Sequence, residues 1–182
     1  NEAILGVYVG RLAKEKNLPL LLRTFPRMRE AVPQLQLMLV GDGPIRARLE
    51  KEKPEGVHCV GYKRGVELAE HYASGDMFLF PSVTETFGNV VLEALACGLP
   101  TVAFQAGGVP QSVHHHENGL LAEEGDEDAF LQNAIRLCRE HETRKQMAQA
   151  AWDYAQTQTW ERIMGRLFTS YQKVLEEQNP TH

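Results

Sequence analysis

The residues best able to do chemistry lie in PSVTETFGNVVLEALACGLP, residues 81–100. Glu85 and Glu93 stand eight apart, with Phe87-Gly88-Asn89 between them. Asn89 reads as an N-cap, Val90–Ala96 as a helix, and Gly98-Leu99-Pro100 as its stop. A glycine turn that runs into a helix start leaves free backbone N–H groups and a partial positive charge. Such a start is an anion site worth up to about 2 kcal/mol in partly buried geometry. Glu93 falls four residues after Asn89, on the same face one turn further along. A diphosphate at the helix start would have this carboxylate beside its ribose hydroxyls, and Glu85, on the preceding loop, would meet an attached sugar. By composition alone, either glutamate is more readily a solvated surface charge.

Two cations offer themselves for the same anion. Arg11 directly follows an apolar run, Ile4–Val9, and Lys16 comes five residues later, ahead of a helix starting near Leu18. The loop between them can turn both toward one point, although Lys14 and Glu15 make it equally a plain charged loop. His114-His115-His116 are adjacent and so point different ways, and Asp76, Asp126 and Asp128 form no convergent set with them. Metal ligands come from separated positions, so the expectation is no metal.

The elements that must hold these residues alternate. Strands are expected at Ile4–Val9, Gln36–Val40, Val57–Val60, Met77–Phe80, Pro100–Ala103 and Gly119–Ala122. Helical spacing covers Leu18–Val32, Ile45–Lys53, Val66–Ala73, Asn89–Cys97, Glu127–Glu140 and Thr143–Thr157, with a last helix at about 160–177. This is the pattern of βαβ crossovers: an α/β fold with a Rossmann-like, doubly wound parallel sheet and helices on both faces. One domain is expected over residues 1–182. Ligands of such sheets bind beyond the carboxyl ends of the strands. Here those ends are followed by Gly10-Arg11, Gly41-Asp42-Gly43-Pro44, Gly61-Tyr62, Pro81-Ser82 and Gly107-Gly108. Glycine at four of five ends lets a ligand approach the backbone closely.

Bulk properties set the bounds. The chain has 182 residues, 43% of them hydrophobic, and a net charge of −5, which disfavours nucleic acid as a partner. Cys59, Cys97 and Cys138 show no ligand or disulfide spacing and read as reduced thiols of a cytoplasmic protein. No signal peptide or membrane-length apolar run is evident.

Residues 81–100 resemble the E-x7-E segment of the large retaining glycosyltransferase family with the two-lobed GT-B fold, the group 1 or family 4 type. VGRLAKEKN at 9–17 is similar to that family's donor-phosphate segment, and LMLVGDGP at 37–44 to its second strand and turn. VHCVGY at 57–62, HYASGDMFLFPS at 71–82 and GGVPQSVHHHENGLL at 107–121 continue the resemblance in order along nearly the whole chain. Departures are His116 where glycine is frequent, Gln111 where glutamate is, and Gly75 where alanine is.

The resemblance implies the C-terminal, donor-binding lobe of an enzyme that moves a hexose from a UDP- or GDP-sugar to a hydroxyl with retained configuration. It implies that Arg11 and Lys16 hold the diphosphate, that Glu93 binds ribose and that Glu85 contacts the transferred sugar. Phe87 belongs to the donor-binding turn, and the amides of Gly88, Asn89 and Val90 meet sugar and distal phosphate. The backbone at Tyr62 faces the nucleobase, and Gly43 lines the same floor. Glu85, Arg11 and Lys16 are then the catalytic set of this chain, with no cofactor beyond the donor and no metal. An N-terminal acceptor lobe is missing, and the 160–177 helix, with its stripe Ile163, Leu167, Tyr171, Val174 and Leu175, is suited to pack toward it. Location is cytoplasmic, or peripheral to the inner face of a membrane, with any membrane contact made by the missing lobe. Without that lobe the chain is expected to be inactive. Competing readings are a nucleotide-sugar epimerase lobe of the same fold and a non-catalytic nucleotide-sugar module. A dinucleotide-binding dehydrogenase domain needs G-x-G-x-x-G after the first strand, which Gly10-Arg11 does not supply.

Overall fold

The computed structural model describes residues 3–86, 88–159, 161–162, 164–165 and 168–171. Six strands, β1 (Ile4–Val9), β2 (Leu35–Val40), β3 (Val57–Gly61), β4 (Met77–Phe80), β5 (Thr101–Phe104) and β6 (Gly119–Ala122), form one sheet. Its order is β3-β2-β1-β4-β5-β6, with every pair parallel. The helices are α1 (Leu18–Ala31), α2 (Arg46–Glu52), α3 (Gly65–Ala73), α4 (Asn89–Ala96), α5 (Glu127–Arg139) and α6 (His141–Gln156).

The apolar runs account for the strands. All four residues of β4 and of β5 are buried, as strands covered by helices on both faces must be. Tyr8, Phe80 and Phe78 stack in a ladder across β1 and β4, with centroids 6.4 and 5.5 Å apart. Fully burying each such ring contributes roughly 1.5–3 kcal/mol. Phe104 stacks on Phe130 at 5.1 Å and ties β5 to α5. α5 starts where Asp126 accepts the Ala129 amide at 2.9 Å, with Glu127 and Asp128 in the first turn to complement the dipole.

Chain order sets the crevice. From β1 the sheet grows outward through β2 and β3, and from β4 it grows the other way through β5 and β6. The β1/β4 junction is therefore the topological switch point, where loops diverge and leave room for a ligand. Among the described residues no helix is long and apolar enough to cross a membrane. Most of the expected 160–177 helix, including Ile163, Leu167, Val174 and Leu175, lies outside the described residues. Residues 168–171 are helical, and Phe168 and Tyr171 are exposed.

Candidate functional site

α4 begins at the switch point, and its start differs in one residue from the sequence expectation. Gly88, not Asn89, is the N-cap, with φ 68° and ψ 43°, and Asn89 is the first helical residue. The chain enters the helix through the left-handed region, which costs glycine nothing and a side chain dearly. No side chain caps the helix. Its first N–H groups, which have no intrahelical partner, therefore stay available to an anion. Phe87 lies outside the described residues.

Glu85 is held from three directions. Its carboxylate pairs with the Lys16 ammonium, and both side chains are largely shielded, at 16% and 23% exposure. The hydroxyl of fully buried Ser82 donates to the same Oε1 at 3.2 Å. Its carbonyl accepts the Gly108 amide at 2.8 Å. Gly107, at φ 56°, passes so close that a Cβ there would stand 2.3 Å from the Glu85 oxygen. Only glycine allows this crossing of the two loops.

Lys16 sits on a one-turn 3-10 helix, Lys14–Lys16, where the sequence suggested only a loop. The turn is fastened across the switch point. Asn17 donates its side-chain amide to the Pro81 carbonyl at 3.2 Å, and Thr84 donates its hydroxyl to the Glu15 carbonyl at 3.3 Å. Arg11 behaves differently: its side chain is 65% exposed and lies 3.6 Å from Glu15. Beneath it Tyr8 donates its hydroxyl to the Arg11 carbonyl at 3.2 Å. Burial first, then the charges of Glu85 and Glu15, push the Tyr8 phenol well above its ordinary value, so it stays a donor.

Glu93 projects from α4 one turn beyond Asn89, as spacing predicts, and is exposed. Its Oε2 accepts the Tyr72 hydroxyl at 2.9 Å. Neither Tyr72 nor Ser82 was singled out from sequence. No spacing rule links a position on α3 to a carboxylate 21 residues later.

These residues border two adjoining depressions that share Val90. One, of about 450 Å³, is lined by Arg11, Gly41, Asp42, Tyr62, Val90 and Glu93 among others. The other, of about 340 Å³, is lined by Lys16, Glu85, Gly88, Asn89 and Val90 with Thr84 and Thr86. Arg11 and Lys16 thus face different halves of the cleft rather than one point. Tyr62 stands 67% exposed on the rim of the larger half. Gly43 is not part of that lining. A Cβ on it would meet the Leu12 carbonyl at 2.4 Å, so close packing against the preceding loop requires glycine there.

The three histidines go separate ways. His114 packs edge-on against Tyr154 at 5.0 Å, and His115 Nδ1 accepts the Leu121 amide at 2.9 Å. His116 takes φ 68°, a left-handed conformation that glycine adopts without strain.

Comparison with known proteins agrees with this architecture. The sequence profile of glycosyl transferases group 1 matches residues 4–140, which takes in the whole sheet and both glutamates. Sulfoquinovosyl transferase SQD2 of Arabidopsis thaliana is 37% identical over 164 residues, covering 87% of this chain and 31% of that protein. A GDP-mannose-dependent alpha-mannosyltransferase of Corynebacterium glutamicum is 34% identical over 168 residues, covering 92% of this chain and 39% of that one. The chain therefore spans about a third of the length of these relatives. Among solved structures, the pneumococcal O-GlcNAc transferase GtfA in complex with UDP and GlcNAc superposes with a TM-score of 0.81 at 20% identity, over 96% of this chain and 36% of that one. At that identity the likeness speaks for the fold, the Rossmann-like lobe of a GT-B protein. With three quarters of its length under the family profile, the chain belongs to the group 1 glycosyl transferases.

Proposed function

We propose that this chain is the donor-binding half of a retaining hexosyltransferase that takes a nucleoside diphosphate sugar, UDP- or GDP-linked, and delivers the hexose to a hydroxyl acceptor held by a second lobe. The observation that supports it best is the two-part cleft at the β1/β4 switch point, with Glu93 in one half, Lys16 and Glu85 in the other, and the open start of α4 between them at Val90.

In this reading the larger half takes the nucleoside, with the Tyr62 backbone at the base and Glu93 on the ribose. The diphosphate spans the cleft over the Gly88, Asn89 and Val90 amides, reached by Arg11 from one side and Lys16 from the other. The sugar lies in the smaller half against Glu85. Because Glu85 is already tied to Lys16 and Ser82, it is suited to orienting sugar hydroxyls rather than to attacking the anomeric carbon. The C–O bond to the diphosphate breaks with its electron pair on the leaving oxygen. That oxygen then accepts the proton of the acceptor hydroxyl, which bonds to the same face of the anomeric carbon. Lys16, Arg11 and the helix amides stabilise the charge that develops on the diphosphate, an oxyanion-hole role. No metal or other cofactor is needed in this scheme, and the protein works in the cytoplasm or at the inner face of a membrane.

Isothermal calorimetry of this chain with UDP and GDP in the presence of chelator tests the reading. It predicts metal-independent binding of at least one nucleotide and no sugar transfer by the chain alone. Absence of any nucleotide binding overturns it.

A further inference from the structure

The geometry points to Tyr72 as the positioning residue of the ribose carboxylate: its buried hydroxyl locks the Glu93 side chain in the donor-binding rotamer. This rests on the ribose reading of Glu93 above.

Tyr72 is the one buried residue of α3, at 2% exposure, and its ring packs against Phe78 at 5.9 Å. A phenylalanine would fill that space. The hydroxyl is an extra polar group on a buried side chain, which costs free energy unless it is bonded. It donates to Glu93 Oε2 at 2.9 Å and lies 3.3 Å from the Val90 carbonyl. Glu93 and Val90 are one turn apart on α4, so a single hydroxyl bridges the carboxylate and the backbone of the turn whose amides border both halves of the cleft. Burial and the neighbouring Glu93 charge push the phenol far above its ordinary value, so it remains a donor throughout the physiological range.

The consequence is preorganisation. A free glutamate side chain loses rotamer freedom when a ligand fixes it, and that loss subtracts from affinity. Here Oε2 is fixed from below while Glu93 stays open to the cleft, leaving Oε1 to accept from a ligand hydroxyl. Tyr72 would touch no part of the donor and would act only through Glu93.

The test compares UDP and GDP with their 2′,3′-dideoxy counterparts by calorimetry on the 182-residue chain, its Tyr72→Phe and Glu93→Ala variants, and the double variant. Tyr72→Phe keeps the ring against Phe78, and a thermal melt checks its fold. Tyr72→Phe is expected to weaken the ribonucleotide about tenfold, to leave the dideoxy analogue unchanged, and to add nothing in the Glu93→Ala background. Equal loss for both nucleotides in Tyr72→Phe, or none for either, while Glu93→Ala still weakens only the ribonucleotide, overturns the Tyr72 role and leaves the ribose reading standing. A Glu93→Ala variant that keeps the wild-type ratio between ribonucleotide and dideoxy analogue overturns both.

Discussion

The Lys16 ammonium and the Glu85 carboxylate, 69 residues apart in sequence, form an ion pair that lines the smaller half of the cleft. The pair couples the cation that would meet the diphosphate to the acid that would meet the sugar. Lys16→Ala should therefore damage both functions, cutting nucleoside diphosphate affinity by about 1.5–3 kcal/mol. Arg11→Ala should cut it by a similar amount, and Arg11→Lys should rescue only partly, because an ammonium cannot replace a bidentate fork. Lys14→Ala serves as the control and should bind normally. A Lys14→Ala loss as large as that of Lys16→Ala would remove the clamp assignment.

The two glutamates should separate by ligand. Glu93→Ala is expected to weaken both plain nucleotide and nucleotide sugar by about 1.5–3 kcal/mol. Glu85→Ala should spare the plain nucleotide and weaken only the sugar-bearing donor. Titrating UDP against UDP-glucose, and GDP against GDP-mannose, reads the difference directly. Identical losses for both ligands in both variants would end the division of labour.

Gly107→Ala should be costly far beyond its size. The methyl group would enter within 2.3 Å of the Glu85 carbonyl, at a φ of 56° that alanine resists. We expect a stability loss of about 2–3 kcal/mol in chemical denaturation, together with weakened binding of the sugar-bearing donor as the Glu85 loop is pushed aside. A variant with native stability and donor affinity would show that the crossing is loose.

His115 carries a pH dependence. Burial, then His116, then Arg136 lower its value below the ordinary 6.5, and its Nδ1 accepts the Leu121 amide, which requires the neutral ring. A depressed folded value means that the contribution is fully present above pH 6.5 and is lost as pH falls through the folded value. Thermal melts between pH 7.5 and 5 should show a declining Tm in the wild type. The decline should be shallower in His115→Asn, which cannot titrate. Parallel slopes for the two proteins would rule His115 out as the source.

The fold was largely legible because parallel strands covered on both faces are short, continuous apolar runs; β1, β4 and β6 match their expected limits residue for residue. Helix ends moved by a residue or two where backbone geometry, not hydrophobic spacing, decides, as at Gly88 and Asn89. The carboxylates and cations of the cleft were picked out by the resemblance of their segments, since charge and spacing alone fit a solvated surface equally well. Their supports were not. Ser82 and Tyr72 become visible only when separated segments are brought together, since a buried hydroxyl looks like any other core or loop residue in sequence. Gly43 is ambiguous for a related reason: close packing on Leu12, which the structure shows, and close approach of a ligand both call for glycine, and sequence does not say which neighbour is near.

The crossing of the Gly107-Gly108 turn over the Glu85 backbone has a practical consequence for grafting. Exchanging residues 85–93 alone between relatives would swap the acids but leave behind the hydroxyls below them and the amide above. Under the proposed reading, the smallest transplantable module for the ribose and sugar contacts runs unbroken from Tyr72 to Gly108, and it must be matched to a recipient whose first loop presents a lysine at the position of Lys16.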